Sequence, residues 1–237
     1  MNAAIRWGWI GVVLVFVAAG VIFAFRATDT ADTTDASSTA APSTAASPTA
    51  FVDPNPDQPT KSEIVVAVEG GRPAAGYTVE EAGQASSCYR RKDGQEDGLA
   101  SCSAGVDVCW AGPEPTTLLC GLKAWEKKLA RRVADGPIKE IDASGYEPPP
   151  WGLELANGAK CVRRTGGSWG GRADGLIGAY SCEGASGIVL DGDDPLLDQS
   201  KPAWTVKVGP LGDDPTTVFP PPEKIRVVTA YFAKSSA

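Results

Sequence analysis

Apolar and polar residues alternate with a period of two in three segments of the chain. These segments are Ile64 to Val68, Trp204 to Val208 and Ile225 to Tyr231. Alternation of this kind, flanked by Gly, Pro and Asp, is typical of β-strands that bury one face. The pattern therefore predicts a mainly β fold.

Residues 118–133 give a mixed signal. Their apolar positions follow helical spacing, and the Lys and Arg residues between them are good helix formers. Those apolar positions are Leu118, Leu122, Trp125, Leu129 and Val133. An internal repeat, however, aligns Trp125 with Trp204, which opens a plain strand pattern. We give the repeat more weight and predict strand here, with helix as the alternative.

The repeat covers most of the chain after residue 78. The fragments Cys88-Tyr-Arg-Arg, Asp97-Gly-Leu, Ser101-Cys102 and Trp125 recur as Cys161-Val-Arg-Arg, Asp174-Gly-Leu, Ser181-Cys182 and Trp204. Self-similarity at an interval of roughly 75 residues indicates a duplicated unit. A Pro-rich run at 147–150 interrupts regular structure ahead of the second copy. The sequence therefore predicts two tandem, related modules, residues 63–142 and 143–237.

All six cysteines lie in these modules, which is the pattern of a disulfide framework in an oxidising compartment. The pair present in both copies predicts bridges Cys88–Cys102 and Cys161–Cys182. Cys109 and Cys120 have no counterparts in the second copy, so we expect them to pair with each other. Each bridge would contribute about 3 kcal/mol by restricting the unfolded chain. Because the chain has no histidine and no closely spaced cysteine pair, we predict no metal site.

The N-terminal region predicts a membrane anchor. Trp7 to Phe25 is uncharged and mostly apolar, and as a helix it would span roughly 29 Å, close to the thickness of a bilayer core. Arg6 and the terminal amine precede it, and Arg26 follows it, ahead of three aspartates; this slight positive bias favours residues 1–6 in the cytoplasm and the rest of the chain outside. A cleaved signal peptide, with Ala18-Ala19-Gly20 as the cleavage site, is the alternative.

Residues 26–62 form a compositionally distinct segment rich in Ala, Thr, Ser and Pro. Such a segment has too few apolar residues to offset the entropy of ordering, so we predict a disordered stalk. The plasma membrane is then a partner through Trp7 to Phe25, and the modules stand away from its outer face.

Charge and composition exclude several functions. The net charge of −7 argues against nucleic acid as a partner, since a general nucleic-acid binder needs a basic surface. Without histidine, the chain has no Ser-His-Asp or Cys-His catalytic machinery. It has no phosphate-binding loop motif, and no cofactor is predicted.

Two sets of residues are candidates for function. Trp169 and Arg172 lie in a Gly-rich loop between Cys161 and Cys182, where a rigid scaffold would present them to an envelope protein or glycan. The alternative is a hydrolase that acts on a wall glycan through carboxylates, for which Glu154, Asp174 and Glu183 are available. The acidic run at 191–198 lacks the remaining ligands of a calcium loop and predicts an acidic turn.

The second copy carries a family resemblance. Its fragments Pro150-Trp-Gly-Leu-Glu-Leu-Ala-Asn-Gly-Ala-Lys-Cys161, Gly178-Ala-Tyr-Ser-Cys182 and Pro202-Ala-Trp-Thr-Val206 resemble a loose group of exported proteins of unknown function from high-GC Gram-positive bacteria. The resemblance implies a cell-envelope setting and supplies no catalytic residue. We therefore expect a non-catalytic, membrane-anchored binding or assembly protein of the cell envelope. An accessory subunit of a membrane complex is a further alternative.

Overall fold

The computed structural model describes residues 50–92, 96–103, 106–165, 170–184 and 187–236. Every helix or strand assigned within these ranges is a strand, so the predicted mainly β class is confirmed. No helix long and apolar enough to cross a bilayer occurs among the described residues. The predicted anchor, Trp7 to Phe25, lies outside them, as does most of the predicted stalk.

Sixteen strands are assigned in the described ranges. In chain order they are β1 (Lys61–Val65), β2 (Val68–Glu69), β3 (Arg72–Pro73), β4 (Thr78–Ala85), β5 (Tyr89–Lys92), β6 (Ala100–Cys102), β7 (Val106–Ala111), β8 (Thr117–Gly121), β9 (Lys128–Ala134), β10 (Lys139–Asp142), β11 (Gly152–Leu155), β12 (Lys160–Arg163), β13 (Ile177–Glu183), β14 (Ile188–Asp191), β15 (Thr205–Gly209) and β16 (Glu223–Ala233).

The first large sheet has the strand order β10-β5-β6-β7-β8-β9-β4. Strands β5 to β9 form an antiparallel meander, and β10 and β4 add to its two edges in parallel. The predicted strand character of residues 118–133 is confirmed, as β8, a turn and β9. All five residues of β8 are buried, whereas Leu122 in the turn and Val133 in β9 are exposed, so the helical spacing does not mark one buried face.

The second large sheet closes on itself. Strands β11 to β15 form an antiparallel meander, and the long strand β16 pairs with both β15 and β11. Its interior is a continuous apolar cluster in which Leu153, Tyr180, Val189 and Val227 are fully buried. The Tyr180 hydroxyl donates to the carbonyl oxygen of Pro150 at 2.7 Å, which satisfies the one polar atom that this ring brings into the core.

The internal repeat corresponds to the structure only in part. Strands β5 to β8 and β12 to β15 are equivalent four-stranded meanders, and each begins with a disulfide-linked hairpin. Trp125, however, lies after all four strands of the first meander, ahead of β9. Trp204 lies ahead of β15, which is the fourth strand of the second meander. The strands that precede the meanders also differ, since β4 pairs with β9 and β11 pairs with β12.

The two sheets share one hydrophobic core, which contains residues of both predicted modules. Trp110 and Trp151, one from each side, meet edge to face with ring centroids 5.9 Å apart. The described residues belong to one compact unit, Pro48–Ala237. The boundary predicted near residue 143 therefore separates two sheets that pack on each other.

Glycines allow this close packing. The ring of Trp151 occupies the space that a side chain at Gly121 of the first sheet would fill. Reciprocally, Trp125 and Ala124 cover Gly152 of the second sheet, and a Cβ atom there would lie 3.0 Å from the Ala124 Cβ. In each sheet, an apolar side chain of the other sheet therefore packs against a glycine.

A buried charge cluster also crosses the interface between the sheets. Glu96, whose side chain is 3% exposed, lies 2.8 Å from an Arg91 guanidinium nitrogen and 3.6 Å from one of Arg163. Near the other end of the same interface, Lys123 and Glu183 form an ion pair at 2.7 Å. Buried charges persist in proteins where they are paired, and this pairing links the two sheets.

The structure contains the three disulfides that the repeat predicts: Cys88–Cys102, Cys109–Cys120 and Cys161–Cys182. The last two join residues that lie directly opposite each other on neighbouring strands. Two of the bridges form the centre of an apolar cluster on the face of the first sheet that points away from the shared core. They stabilise a region that would otherwise bury little more than alanines.

Two predicted boundaries differ from the structure. The stalk was predicted to run to residue 62, but residues 53–60 contact the second sheet, because Asp53 and Thr60 bond to residues of β16. Strand β1 contains the first residues assigned by sequence to the first module, yet it pairs in parallel with β16 of the second sheet. A single strand at a module boundary carries no pattern that indicates which sheet it joins.

Candidate functional site

The Gly-rich loop of the second sheet, predicted as a contact loop, is described only in part. Trp169 lies outside the described residues. Arg172 lies inside them, and its side chain has no exposed surface. The guanidinium binds Asp174 at 2.8 Å and donates to the carbonyl oxygens of Pro210 and Pro220 at 3.0 and 2.7 Å. It also stacks over the Phe219 ring, 5.3 Å from its centroid.

Arg172 therefore joins two loops at one end of the closed sheet, the β12–β13 loop and the β15–β16 loop. An arginine guanidinium carries five N–H donors, and here they are directed at a carboxylate and two main-chain oxygens. These hydrogen bonds hold the pKa of Asp174 below its usual range.

The carboxylates proposed for catalysis fall in two places. Glu154 and Glu183 lie on either side of Lys160, opposite it on neighbouring strands, and so share one row across the second sheet. Asp174 lies elsewhere, in the loop that Arg172 organises. The structure therefore brings together two of the three predicted carboxylates.

Both carboxylates in this row are paired with lysines. Lys160 lies 2.7 Å from Glu154, and Lys123 lies 2.7 Å from Glu183. Burial on its own would raise the pKa of Glu154, but the hydrogen bond and charge of Lys160 outweigh it, so that the pKa is lower than usual. A general acid in glycoside hydrolysis requires the opposite shift, because it must keep its proton at neutral pH.

An open cleft of about 610 Å³ lies at a different position on the second sheet. One wall is the loop between β14 and β15, and the floor is the pair β15–β16, where Lys207 lies opposite Lys224. Leu196, Leu197 and Val206 provide apolar surface. The acidic turn predicted at 191–198 forms the rim of this cleft.

Two of the charged side chains of the cleft form an ion pair, and a third is hydrogen-bonded to a serine. The Lys207 ammonium lies 2.7 Å from the Asp194 carboxylate and lowers the pKa of that aspartate. Asp198 accepts hydrogen bonds from the hydroxyl and main-chain N–H of Ser200, at 2.6 and 3.1 Å, and its pKa is also lowered. Two carboxylates and two ammonium groups therefore give the cleft no net charge, with hydrogen-bonding groups of both kinds.

A second depression of about 270 Å³ adjoins this cleft, and Leu197 and Gln199 line both. Its walls are the rings of Trp204 and Phe232 and the prolines at 148–150. Together the two depressions form a continuous surface with a charged end and an aromatic end. Sequence reasoning did not find this surface, because its walls come from three separate segments, at 147–150, 194–207 and 224–232, that no local pattern brings together.

The spacing of the described acidic side chains bears on metal binding. Among the described residues, no three His, Cys, Asp or Glu side chains group closely enough to hold a metal ion. Asp194 and Asp198 bind Lys207 and Ser200, respectively.

Comparisons with known proteins give no match. No family model matches the sequence, and no significant similarity was found to a curated protein or to a solved structure. The resemblance to exported proteins of high-GC Gram-positive bacteria therefore depends on the short motifs of the second copy alone.

Proposed function

We propose that this chain is a non-catalytic binding or assembly protein of the cell envelope, anchored by Trp7 to Phe25 and folded outside the plasma membrane. Three intramolecular disulfides support the location, because such bridges form and persist in oxidising compartments. In this proposal residues 63–142 and 143–237 descend from one duplicated unit and now share a core.

The observation that carries the proposal is the cleft between the β14–β15 loop and the β15–β16 pair. Ligand sites in proteins are typically concave and largely apolar, with a few polar groups that orient the ligand. The cleft combines the apolar side chain of Leu196 with charged groups of both signs, of which Lys207 and Asp194 form an ion pair. A neutral or zwitterionic envelope component, a glycan or a protein segment, would find both types of contact there.

The state of the carboxylates favours binding over hydrolysis. Glu154, Asp174 and Glu183 each form an ion pair with a cation at 2.7 to 2.8 Å. A pair of carboxylates that hydrolyses a glycosidic bond must divide the roles of proton donor and base or nucleophile between them. Glu154 and Asp174 have lowered pKa values instead, which suits carboxylates that hold a fold together.

The test uses the full-length chain in detergent and two probes, sonicated wall glycan fragments and solubilised envelope proteins. Lys224 is exposed at the cleft, so Lys224→Glu reverses its charge without disturbing a core. Lys128→Glu makes the same change on an exposed strand position of the other sheet. We expect the wild type and Lys128→Glu to retain one probe, and Lys224→Glu to retain at least about tenfold less. Equal retention by all three proteins would refute the proposed role of the cleft.

A further inference from the structure

The chain that leads into the second sheet is attached to β16 by a buried ion pair. The Asp53 carboxylate lies 2.7 Å from Nε of Arg226, and the two side chains are 13% and 6% exposed. Arg226 lies directly opposite Thr205, which lines the cleft. The first attachment point of this segment is therefore on a strand that forms the cleft floor.

A second attachment lies seven residues later, at Thr60. Its hydroxyl donates to the carbonyl oxygen of Val227 and accepts from the main-chain N–H of Trp204, both at 2.8 Å. The Thr60 N–H donates to the carbonyl oxygen of Pro202 at 2.9 Å. One side chain thus connects β16 to the end of the loop that forms the cleft wall.

Between these two points the segment is exposed. Residues 54–59 lie on the surface, and only the two ends are held. A segment fixed at both ends and solvated between them acts as a strap, which we define as residues 53–60. Other contacts also hold the loop at 192–204: the buried Leu197, the Asp194–Lys207 ion pair, the two main-chain hydrogen bonds between Asp198 and Thr205, and the hydrogen bond from the Val227 N–H to the Trp204 carbonyl. Thr60 bonds to both residues of the last of these, at the end of the loop.

We propose that Asp53 and Thr60 are positioning residues for the cleft, so that the position of the strap is coupled to the shape of the binding surface. This inference rests on the proposed function of the cleft. The strap fixes the end of the cleft wall relative to its floor, and displacing it frees the loop at 192–204.

Hydrogen exchange of the full-length chain in detergent tests the coupling. Thr60→Val removes the hydroxyl and keeps the shape of the side chain, so the Trp204 N–H and the Val227 carbonyl lose their partner. We expect amides at 194–200, whose hydrogen bonds go to Thr205 and Asp198 and not to the strap, to exchange roughly fivefold faster or more. Asp53→Asn at the other end should act in the same direction, and Thr60→Ser should restore wild-type exchange.

Thr78→Val is the matched control, since the Thr78 hydroxyl donates to the Lys127 carbonyl on the first sheet. Unchanged exchange at 194–200 in Thr60→Val, or an increase spread evenly over both sheets, would overturn the coupling. The capture experiment separates this outcome from failure of the proposed function. Exchange at 194–200 could be faster in Thr60→Val while the wild type captures neither probe. That result would support the coupling and refute the function assigned to the cleft.

Discussion

Tyr231 shows at the scale of one residue how the interface between the sheets determines side-chain chemistry. Its ring lies 6.4 Å from that of Trp125, and its hydroxyl interacts with the Glu154 carboxylate. Burial, followed by the charge of Glu154, raises the pKa of Tyr231 to about 12. The folded protein therefore keeps this proton at a pH where an unfolded tyrosine has lost it.

The shift predicts a loss of stability in alkali. Because the pKa is raised in the folded state, its contribution is complete below about pH 10 and disappears as the pH rises towards 12. Tyr231→Phe should reduce the fall in unfolding free energy between about pH 9.5 and 11.5 by an amount on the order of 1 kcal/mol. Denaturant titrations at the two pH values measure this difference.

Tyr146→Phe serves as the control, because that ring is 45% exposed. Tyr146→Phe should leave the fall in unfolding free energy over the same pH range as it is in the wild type. An identical slope in wild type and Tyr231→Phe would show that Tyr231 titrates normally in the folded chain.

Arg172 marks a limit of prediction at the residue scale. A sequence places an arginine in a loop but does not give the direction of its side chain, and an exposed contact and an internal brace have the same local pattern. Here the partners Pro210 and Pro220 lie far along the chain. The burial of Arg172 depends on how those loops meet.

At the scale of elements, the two sheets fit together through glycines that leave room for rings and methyl groups. Gly152→Ala would place a Cβ atom 3.0 Å from the Ala124 Cβ and 3.2 Å from the Trp125 ring. Since the neighbouring strands are fixed by pairing, we expect the substitution to lower the unfolding free energy by about 1–3 kcal/mol. Thermal or denaturant unfolding measures the change.

Gly136→Ala is a suitable comparison, since no heavy atom lies within 4 Å of the Cβ that it adds. That variant should be neutral or slightly more stable, because alanine restricts the unfolded chain. Equal effects of the two substitutions would mean that Gly152 is not a point of close contact between the sheets.

Strands and disulfide partners could be predicted from sequence, while the pairing of distant strands could not. Alternation of apolar residues located β15 and β16, and the duplicated Cys pair indicated two hairpins. The parallel pairings β1–β16 and β4–β9 join segments that no local pattern connects. Closure of the second sheet likewise depends on the length of β16, which is long enough to pair with three strands.

At the scale of the whole molecule, the described chain is a pair of sheets that share one of their apolar clusters, the one that contains Trp110 and Trp151. A repeat in the sequence indicates two related modules but does not show how they pack on each other. The cleft was not predicted because it needs the β14–β15 loop, β15 and β16 in one place.

We propose above that this oxidised pair of sheets lies outside the plasma membrane, and its location can be measured directly. Intact cells that express the full-length chain can be treated with a membrane-impermeant reductant and then with an impermeant maleimide, and the purified protein weighed. We predict no label without reductant and labelling of up to all six cysteines with it, before any lysis. Labelling that requires lysis, or thiols that react without reductant, would contradict the account.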